Sequence, residues 1–140
     1  MPYINLRLGG SITTEQRQKL FAETTLLMNR VMRKRKQVTV VHIQQAEAQQ
    51  WAVNGIALSN AEPMAAYVDI KVTAGTNTTE EKAAMLSETM KMLCDIVGLM
   101  QEACYIVIDE IPADAWGYNG VSQATRAALK KSAVAVTAAD

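Results

Sequence analysis

The residue in this chain best suited to chemistry is its second. The sequence opens MPYINLRL, a stretch that reads as a short β-strand with Pro2 at its head. A missing backbone N–H does little harm to a sheet at that position. A start methionine followed by proline is normally removed by methionine aminopeptidase. Removal would leave Pro2 as the terminus, with a secondary amine able to act as a base or a nucleophile. While Met1 stays, the Pro2 nitrogen is an amide with its lone pair delocalised into the carbonyl, and it takes no proton near neutral pH. On its own an MP- start is common and decides nothing.

Other reactive side chains are few. His42 is the single histidine and falls in the middle of an apolar stretch. A lone histidine on such a strand is more often a satisfied interior residue than a catalyst. One histidine so placed builds no Ser/His/Asp or Cys/His arrangement. Cys94 and Cys104 lie among apolar residues and read as reduced core residues, with no disulfide frame. Without a Cys/His cluster no zinc site is expected. Gly9-Gly10 lacks phosphate-loop spacing and reads as a turn. Arg33-Lys34-Arg35-Lys36 would suit a nucleic-acid patch. Cations at a helix C-terminus also complement the helix dipole, and a solvated helix end is the expected role.

Composition narrows the class. The chain has 140 residues, 49% of them hydrophobic, enough for one domain with a real core. Its 14 Lys+Arg balance 14 Asp+Glu, whereas a dedicated nucleic-acid binder usually carries a basic surplus. No apolar run is long enough to span a bilayer, and the N-terminus lacks a signal-peptide pattern. The expected compartment is the cytoplasm, with neither nucleic acid nor membrane as partner.

The elements that must position these residues occur twice. PYINLRL (Pro2 to Leu8) matches AYVDIKV (Ala66 to Val72) at an offset of 64. Thr14 to Met32 matches Thr79 to Val97, and Val40 to Gly55 matches Tyr105 to Gly120, both at an offset of 65. Trp51 thereby pairs with Trp116, and Asn54-Gly55 with Asn119-Gly120. Three matches in order imply one βαβ unit, duplicated and fused. The repeats span 1–58 and 66–131, joined by a linker over 59–65, within one domain of residues 1–140.

Each unit is readable locally. Ile4, Leu6 and Leu8 alternate with Tyr3, Asn5 and Arg7, as a strand with two different faces requires. Thr13 or Thr14 can cap the first helix, whose buried stripe is Leu20, Leu27 and Val31 with Phe21, Thr24 and Met28. Val38 to Ile43 is the second strand, parallel to the first across a right-handed helical crossover. In the second unit Ala66 to Val72 is a strand, Thr78 or Thr79 caps a helix running to about Leu99, and Cys104 to Asp109 is a strand. The methionines Met85, Met90, Met92 and Met100 suit flexible core filling. Ser122 to Lys131 reads as a short helix, and the tail Ser132 to Asp140 as a fraying end or an added edge strand. The fold class is therefore α+β, a four-stranded sheet with both helices on one face. Tyr3, Val40, Tyr67 and Tyr105 on the other face imply self-association.

The MP- start, the βαβ unit and the segment EIPADAWGYNG (Glu110 to Gly120) resemble the tautomerase superfamily. The duplication resembles its fused, double-length members related to 4-oxalocrotonate tautomerase. The resemblance covers nearly the whole chain and implies a homotrimer with no cofactor and no metal. It also implies an N-terminal proline that shuttles a proton within a keto-enol pair, a role that lands on Pro2. An amine in an apolar pocket near cations has a lowered pKa, and a base poised near the working pH is efficient. The two arginines that hold substrate carboxylates in the prototype fall on Ile12 or Asn77 and on Val40 or Tyr105, so neither is kept.

Trp116 and Tyr105 are then expected to wall the pocket. Arg7 or its repeat partner Lys71 is expected to hold a small-molecule carboxylate, unless they make interface salt bridges with residues such as Asp69 or Asp109. The expected activity is that of a tautomerase on a small 2-oxo acid or enolpyruvate-type substrate. A hydratase or dehalogenase of unsaturated acids would need a carboxylate to orient water, from Asp109, Glu110 or Asp114. A silent oligomeric binding protein is a third possibility.

Overall fold

The computed structural model describes the backbone of residues 1–139 and the side chains of residues 1–134. The first unit comprises β1 (Tyr3–Gly9), α1 (Thr14–Arg30) and β2 (Val40–Ala46), followed by a hairpin of β3 (Ala52–Val53) and β4 (Ile56–Ala57). The second comprises β5 (Ala66–Thr73), α2 (Thr79–Val97) and β6 (Tyr105–Ile111), then a hairpin of β7 (Gly117–Tyr118) and β8 (Val121–Ser122). A last helix, α3 (Gln123–Ala139), ends the chain's described part.

Local chemistry sets the helix ends. Thr13 caps α1: its hydroxyl accepts from Gln16 N at 3.0 Å and the Gln16 amide oxygen accepts from Thr13 N at 2.8 Å. Thr78 and Glu81 repeat the same capping box on α2, at 3.1 and 2.8 Å. In both Thr-Thr pairs the first threonine is the cap. α2 stops at Val97, short of Leu99, because Gly98 turns the chain out with φ 112°. Both hairpins turn on Asn-Gly with positive φ at both residues, the geometry that suits a two-residue connection.

The sheet order is β2-β1-β5-β6. β1 and β2 are parallel, β5 and β6 are parallel, and the units join through the antiparallel pair β1–β5. In that pair Tyr3 faces Lys71 and Arg7 faces Tyr67. An antiparallel join sends equivalent positions of the two units to opposite ends of the sheet. Pro2 therefore lies beside the last residues of β5, and its counterpart Ala66 lies beside Leu8.

One face carries the core. Ile4, Leu6, Leu8, Val68, Ile70 and Val72 are fully buried against Leu20 and Met28 of α1 and Met85 and Leu93 of α2. Burying each such side chain is worth about 1.5–3 kcal/mol. Met85, Met92 and Met100 are buried in this cluster. The other face holds Tyr3, Arg7, Val40, Tyr67, Lys71 and Tyr105, with Val40 53% and Tyr105 67% exposed.

Several expectations are corrected. β2 starts two and ends three residues later than its apolar run suggests, since a 3-10 turn occupies Lys36–Val38 and the ladder continues until Gly9 meets Ala46, and β6 starts one and ends two residues later, its ladder continuing until Thr73 meets Ile111. The tail does not add a strand: its helix-favouring alanines continue α3 to Ala139. His42 is not interior. Val41 and Ile43 turn toward the helices, so His42 between them projects from the open face, with Nδ1 3.1 Å from Asn5 Nδ2. Cys94 is exposed, rotated about 100° around α2 from buried Leu93, whereas Cys104 is half-buried. Among the described residues no helix is long and apolar enough to cross a membrane.

Candidate active site

Pro2 is buried at the head of β1, and its carbonyl accepts from Val40 N at 3.3 Å. Parallel strands start at the same edge of a sheet, so whatever leads into β2 must pass the head of β1. The segment leading into β2 is the cationic run. Its path is set by the exit of α1, where Arg33 takes a left-handed φ of 58°. Lys34 N then donates to Met28 O at 3.0 Å and Arg33 N to Asn29 O at 3.1 Å, closing the helix end.

This turn drives Lys34 inward, to 8% exposure. Lys34 therefore departs from the solvated helix end that the run's charge suggests, while Arg33, Arg35 and Lys36 are exposed. The Lys34 ammonium donates to Thr76 Oγ1 at 2.7 Å. Burial, and then the neighbouring Arg33, push its pKa below the ordinary lysine value, with Glu81 opposing. Arg33 points the other way, gripping both Glu81 carboxylate oxygens at 2.6 and 3.1 Å and Thr76 O at 3.1 Å. The grip fixes the β5–α2 loop against the end of α1.

The result is an open cleft of about 430 Å³ at the N-terminus. Met1, Lys34, Arg35, Tyr118, Gln123 and Arg126 are among its lining residues, and none of the described lining residues is a carboxylate. The Met1 amine is held below its ordinary pKa by burial first, then by Lys34 and Arg35. A depressed amine pKa means a larger neutral, proton-accepting fraction at neutral pH.

The second hairpin forms another wall. Trp116 Nε1 donates to Thr73 Oγ1 at 3.1 Å, so Trp116 is anchored to the end of β5 beside the cleft. The Arg126 guanidinium lies over the Tyr118 ring at 3.7 Å and donates to Tyr118 O at 2.9 Å.

The residues expected from sequence divide between the two ends of the sheet. Pro2 and Trp116 share the cleft end. Lys71 is across from Tyr3 on the open face, bound to Asp109 at 2.8 Å and Asp69 at 3.4 Å. Its pKa is raised, chiefly by the Asp109 hydrogen bond. Arg7 is about 16 Å of strand away from Pro2. There it lies 5.3 Å over the Tyr67 ring, beside Trp51, Gln44 and Gln45. Tyr105 pairs with Tyr67 at that same far end. Within one chain, then, Arg7 and Tyr105 are remote from Pro2. Lys34, Arg35, Tyr118 and Arg126 were not expected there. The signal for Lys34 and Arg35 was their position just before a strand parallel to β1. Among the described residues no cluster of His, Cys, Asp and Glu could hold a metal ion.

The model of the Tautomerase enzyme family matches residues 2–60 and again 67–126, one match for each βαβ unit. The chain belongs to the tautomerase family. This tautomerase is 30% identical over 60 residues to the probable tautomerase K2 of Dickeya dadantii (strain 3937), which covers 43% of the chain and 90% of that protein. The latter is thus comparable to a single repeat. The whole fold is similar to Pt0534 inactivated by 2-oxo-3-pentynoate, with TM-score 0.79 at 12% identity over 89% of this chain and 98% of that one. It is equally similar to Q0, a fused 4-OT described as a symmetric trimer, with TM-score 0.79 at 19% identity over the same shares. Fused 4-OT proteins thus share the double-unit architecture of this tautomerase.

Proposed function

We propose that the Pro2 amine, freed by removal of Met1, is the general base of a keto–enol tautomerase acting on a small 2-oxo acid or enolpyruvate-type substrate. In ketonisation the neutral amine takes the enol O–H proton. The C2–O bond becomes a carbonyl as the C=C electron pair moves to C3, and the prolinium returns a proton to C3. Lys34 and Arg35 hold the substrate carboxylate beside the amine, and Trp116 closes one wall.

The observation that carries this reading is the half-buried N-terminal nitrogen in a cationic cleft, its pKa lowered by burial, Lys34 and Arg35. Trimming moves the amine one residue inward, to the buried Pro2. A hydratase would need a free carboxylate to orient water. Of the three carboxylates that could serve, Asp109 and Glu110 are held by Lys71 and Lys82, each at 2.8 Å, which leaves exposed Asp114 for that second reading.

We further infer a cytoplasmic homotrimer. The exposed Val40 and Tyr105 on the open face support self-association. Arg7 and Tyr105 join a Pro2 cleft only if a neighbouring copy brings its far sheet end to it. Size-exclusion with light scattering tests the assembly; a clean monomer overturns it.

The catalytic test is phenylenolpyruvate ketonisation by protein whose terminus is checked by intact-mass spectrometry. Trimmed protein should turn over, and protein retaining Met1 should not. Equal rates for the two forms would remove Pro2 from the mechanism.

A further inference from the structure

The two units hold the same place on the sheet in two different charge states. In the second unit Lys71 faces Asp109 across β5 and β6, bound to it at 2.8 Å and to Asp69 at 3.4 Å. The next residue, Glu110, is bound to Lys82 at 2.8 Å. The first unit repeats the register, with Arg7 facing Gln44 across β1 and β2. There the counterparts of Asp69, Asp109 and Glu110 are Asn5, Gln44 and Gln45. Each of the three carboxylates is an amide in the first unit. Among the described residues Arg7 makes no ion pair, and its guanidinium lies over the Tyr67 ring at 5.3 Å.

The freed cation borders a cavity. Arg7, Leu8, Gln44, Gln45, Ala46 and Trp51 line an open space of about 360 Å³ at the C-terminal ends of β1 and β2. That is at the low end of ligand cavities, about 300–1,000 Å³, and limits an occupant to a small molecule. Arg7 is exposed, so solvent reaches its charge. The Gln45 side-chain oxygen accepts from Ile12 N at 3.2 Å, which leaves its NH2 to donate. Trp51 is half-buried and packs on Gly9, so its indole is fixed. A guanidinium fork beside amide donors suits a carboxylate, and an indole with Leu8 and Ala46 suits a flat apolar body. The described lining holds no carboxylate, histidine, cysteine, tyrosine or lysine, the usual general acids and bases.

We infer that Arg7, Gln44, Gln45 and Trp51 form a second ligand site, which binds a small aromatic monocarboxylate and does not turn it over. The site goes beyond the keto–enol reading and shares no lining residue with the Pro2 cleft. The second unit has no equivalent, because Asp109 and Asp69 already occupy its cation.

Tryptophan emission tests this, with benzoate as the probe and benzamide as its uncharged analogue. The chain has two tryptophans, so Trp116→Phe leaves Trp51 as the sole reporter. Full-length protein with that change should respond saturably to benzoate and bind benzamide about tenfold or more weakly. Arg7→Gln should weaken benzoate about tenfold or more. So should Gln44→Asp, which gives Arg7 the carboxylate that Lys71 has in the second unit. The second unit shows that the sheet accommodates this pair, so Gln44→Asp carries the test if Arg7→Gln does not fold. A melting transition reports which variants are folded. Lys34→Met, at the other end of the sheet, should leave the Trp51 response in place. An emission that benzoate does not change overturns the site, whether nothing binds or a neighbouring copy fills the cavity. Equal binding of benzamide overturns it too, as does benzoate binding that survives either Arg7→Gln or Gln44→Asp. A response lost in Lys34→Met would put the probe in the Pro2 cleft and equally overturns the site. Emission is read whether or not the protein turns substrate over. A failure of catalysis thus overturns the keto–enol reading, and a failure of the Trp51 response overturns the second site.

Discussion

The two ends of the sheet are built from the same repeat and have become different places. At one end Arg33-Lys34-Arg35-Lys36 leads into β2 beside Pro2; at the other Gly98-Leu99-Met100-Gln101 leads toward β6 beside Ala66. The backbone task is alike, since Arg33 and Gly98 both take positive φ after their helices. The space each encloses differs. The first end is an open cationic cleft around a chain terminus. The second is closed by the entering chain, where Gln101 N donates to Met64 O at 2.8 Å and the Gln101 side chain to Pro63 O at 2.9 Å. Its tryptophan packs on Gly9, so closely that an added Cβ would lie 3.0 Å from the Trp51 ring. Trp116 instead reaches a hydroxyl, that of Thr73. A terminus, and with it a free amine, can exist at only one end of a fused chain. The comparison teaches that duplication conserved the scaffold and left the cationic cleft on one side.

The largest effect should come from removing what the second end lacks. Pro2→Ala in trimmed protein leaves a primary amine of different geometry and basicity, and kcat for phenylenolpyruvate should fall about 10²–10⁴-fold. An unaltered kcat would erase the distinction between the ends. Next comes a change that strikes both ends alike. Leu6→Ala in the shared core should cost about 2–5 kcal/mol in a denaturant titration. A loss of activity with no loss of stability would show that Leu6 acts on the cleft and not on the scaffold.

Lys34→Met sharpens the comparison through charge. If Lys34 holds the substrate acid, KM should rise about tenfold or more. The pH profile should move as well. The amine must be neutral to act, so kcat/KM should rise with pH through its pKa, and the cations that lower the Met1 amine should act on it in the same direction. Losing the nearby cation raises that pKa, and the limb should move to higher pH. A limb that stays in place would leave burial and Arg35 as the causes of the depressed pKa.

The smallest effect concerns the ion pair that braces the cleft. Arg33, with Thr78 N and Asn77 assisting, holds the Glu81 carboxyl at about 2, well below its ordinary value of 4.5. A depressed carboxyl contributes stability that is present above the unfolded pKa and is lost as pH falls through the folded one. Melting temperature should therefore fall between about pH 4.5 and 2, and Glu81→Gln should weaken that dependence. An identical acid profile in the variant would show that other carboxylates govern it. At the second end Leu99→Lys, on a residue 80% exposed, should change stability by no more than ~0.5 kcal/mol and leave activity alone.

Much of this was legible in the residues. The alternation of Ile4, Leu6 and Leu8, the Thr caps and the paired Asn-Gly turns are signals carried by neighbours a few positions apart. They depend on strand period, helix geometry and turn conformation, all of which a linear sequence displays. The repeat added the parallel pairing within each unit and the shared sheet. The proposed role of Pro2 was legible for another reason: it depends only on the second residue becoming the terminus.

The tertiary structure alone decided which cations share its surroundings. Arg7 and Lys71 hold equivalent positions in the two units, yet the antiparallel join gives them opposite ends. Lys34 reads as a surface charge in a run of four, and only the left-handed turn at Arg33 buries it beside the terminus. Arg126 lies far along the chain and reaches the cleft through the hairpin that folds α3 back. His42 and Cys94 show the same limit, since apolar neighbours in sequence did not mean apolar neighbours in space. Electrostatic surroundings depend on distances across the fold, and those distances are set by register and join direction, which no local pattern records.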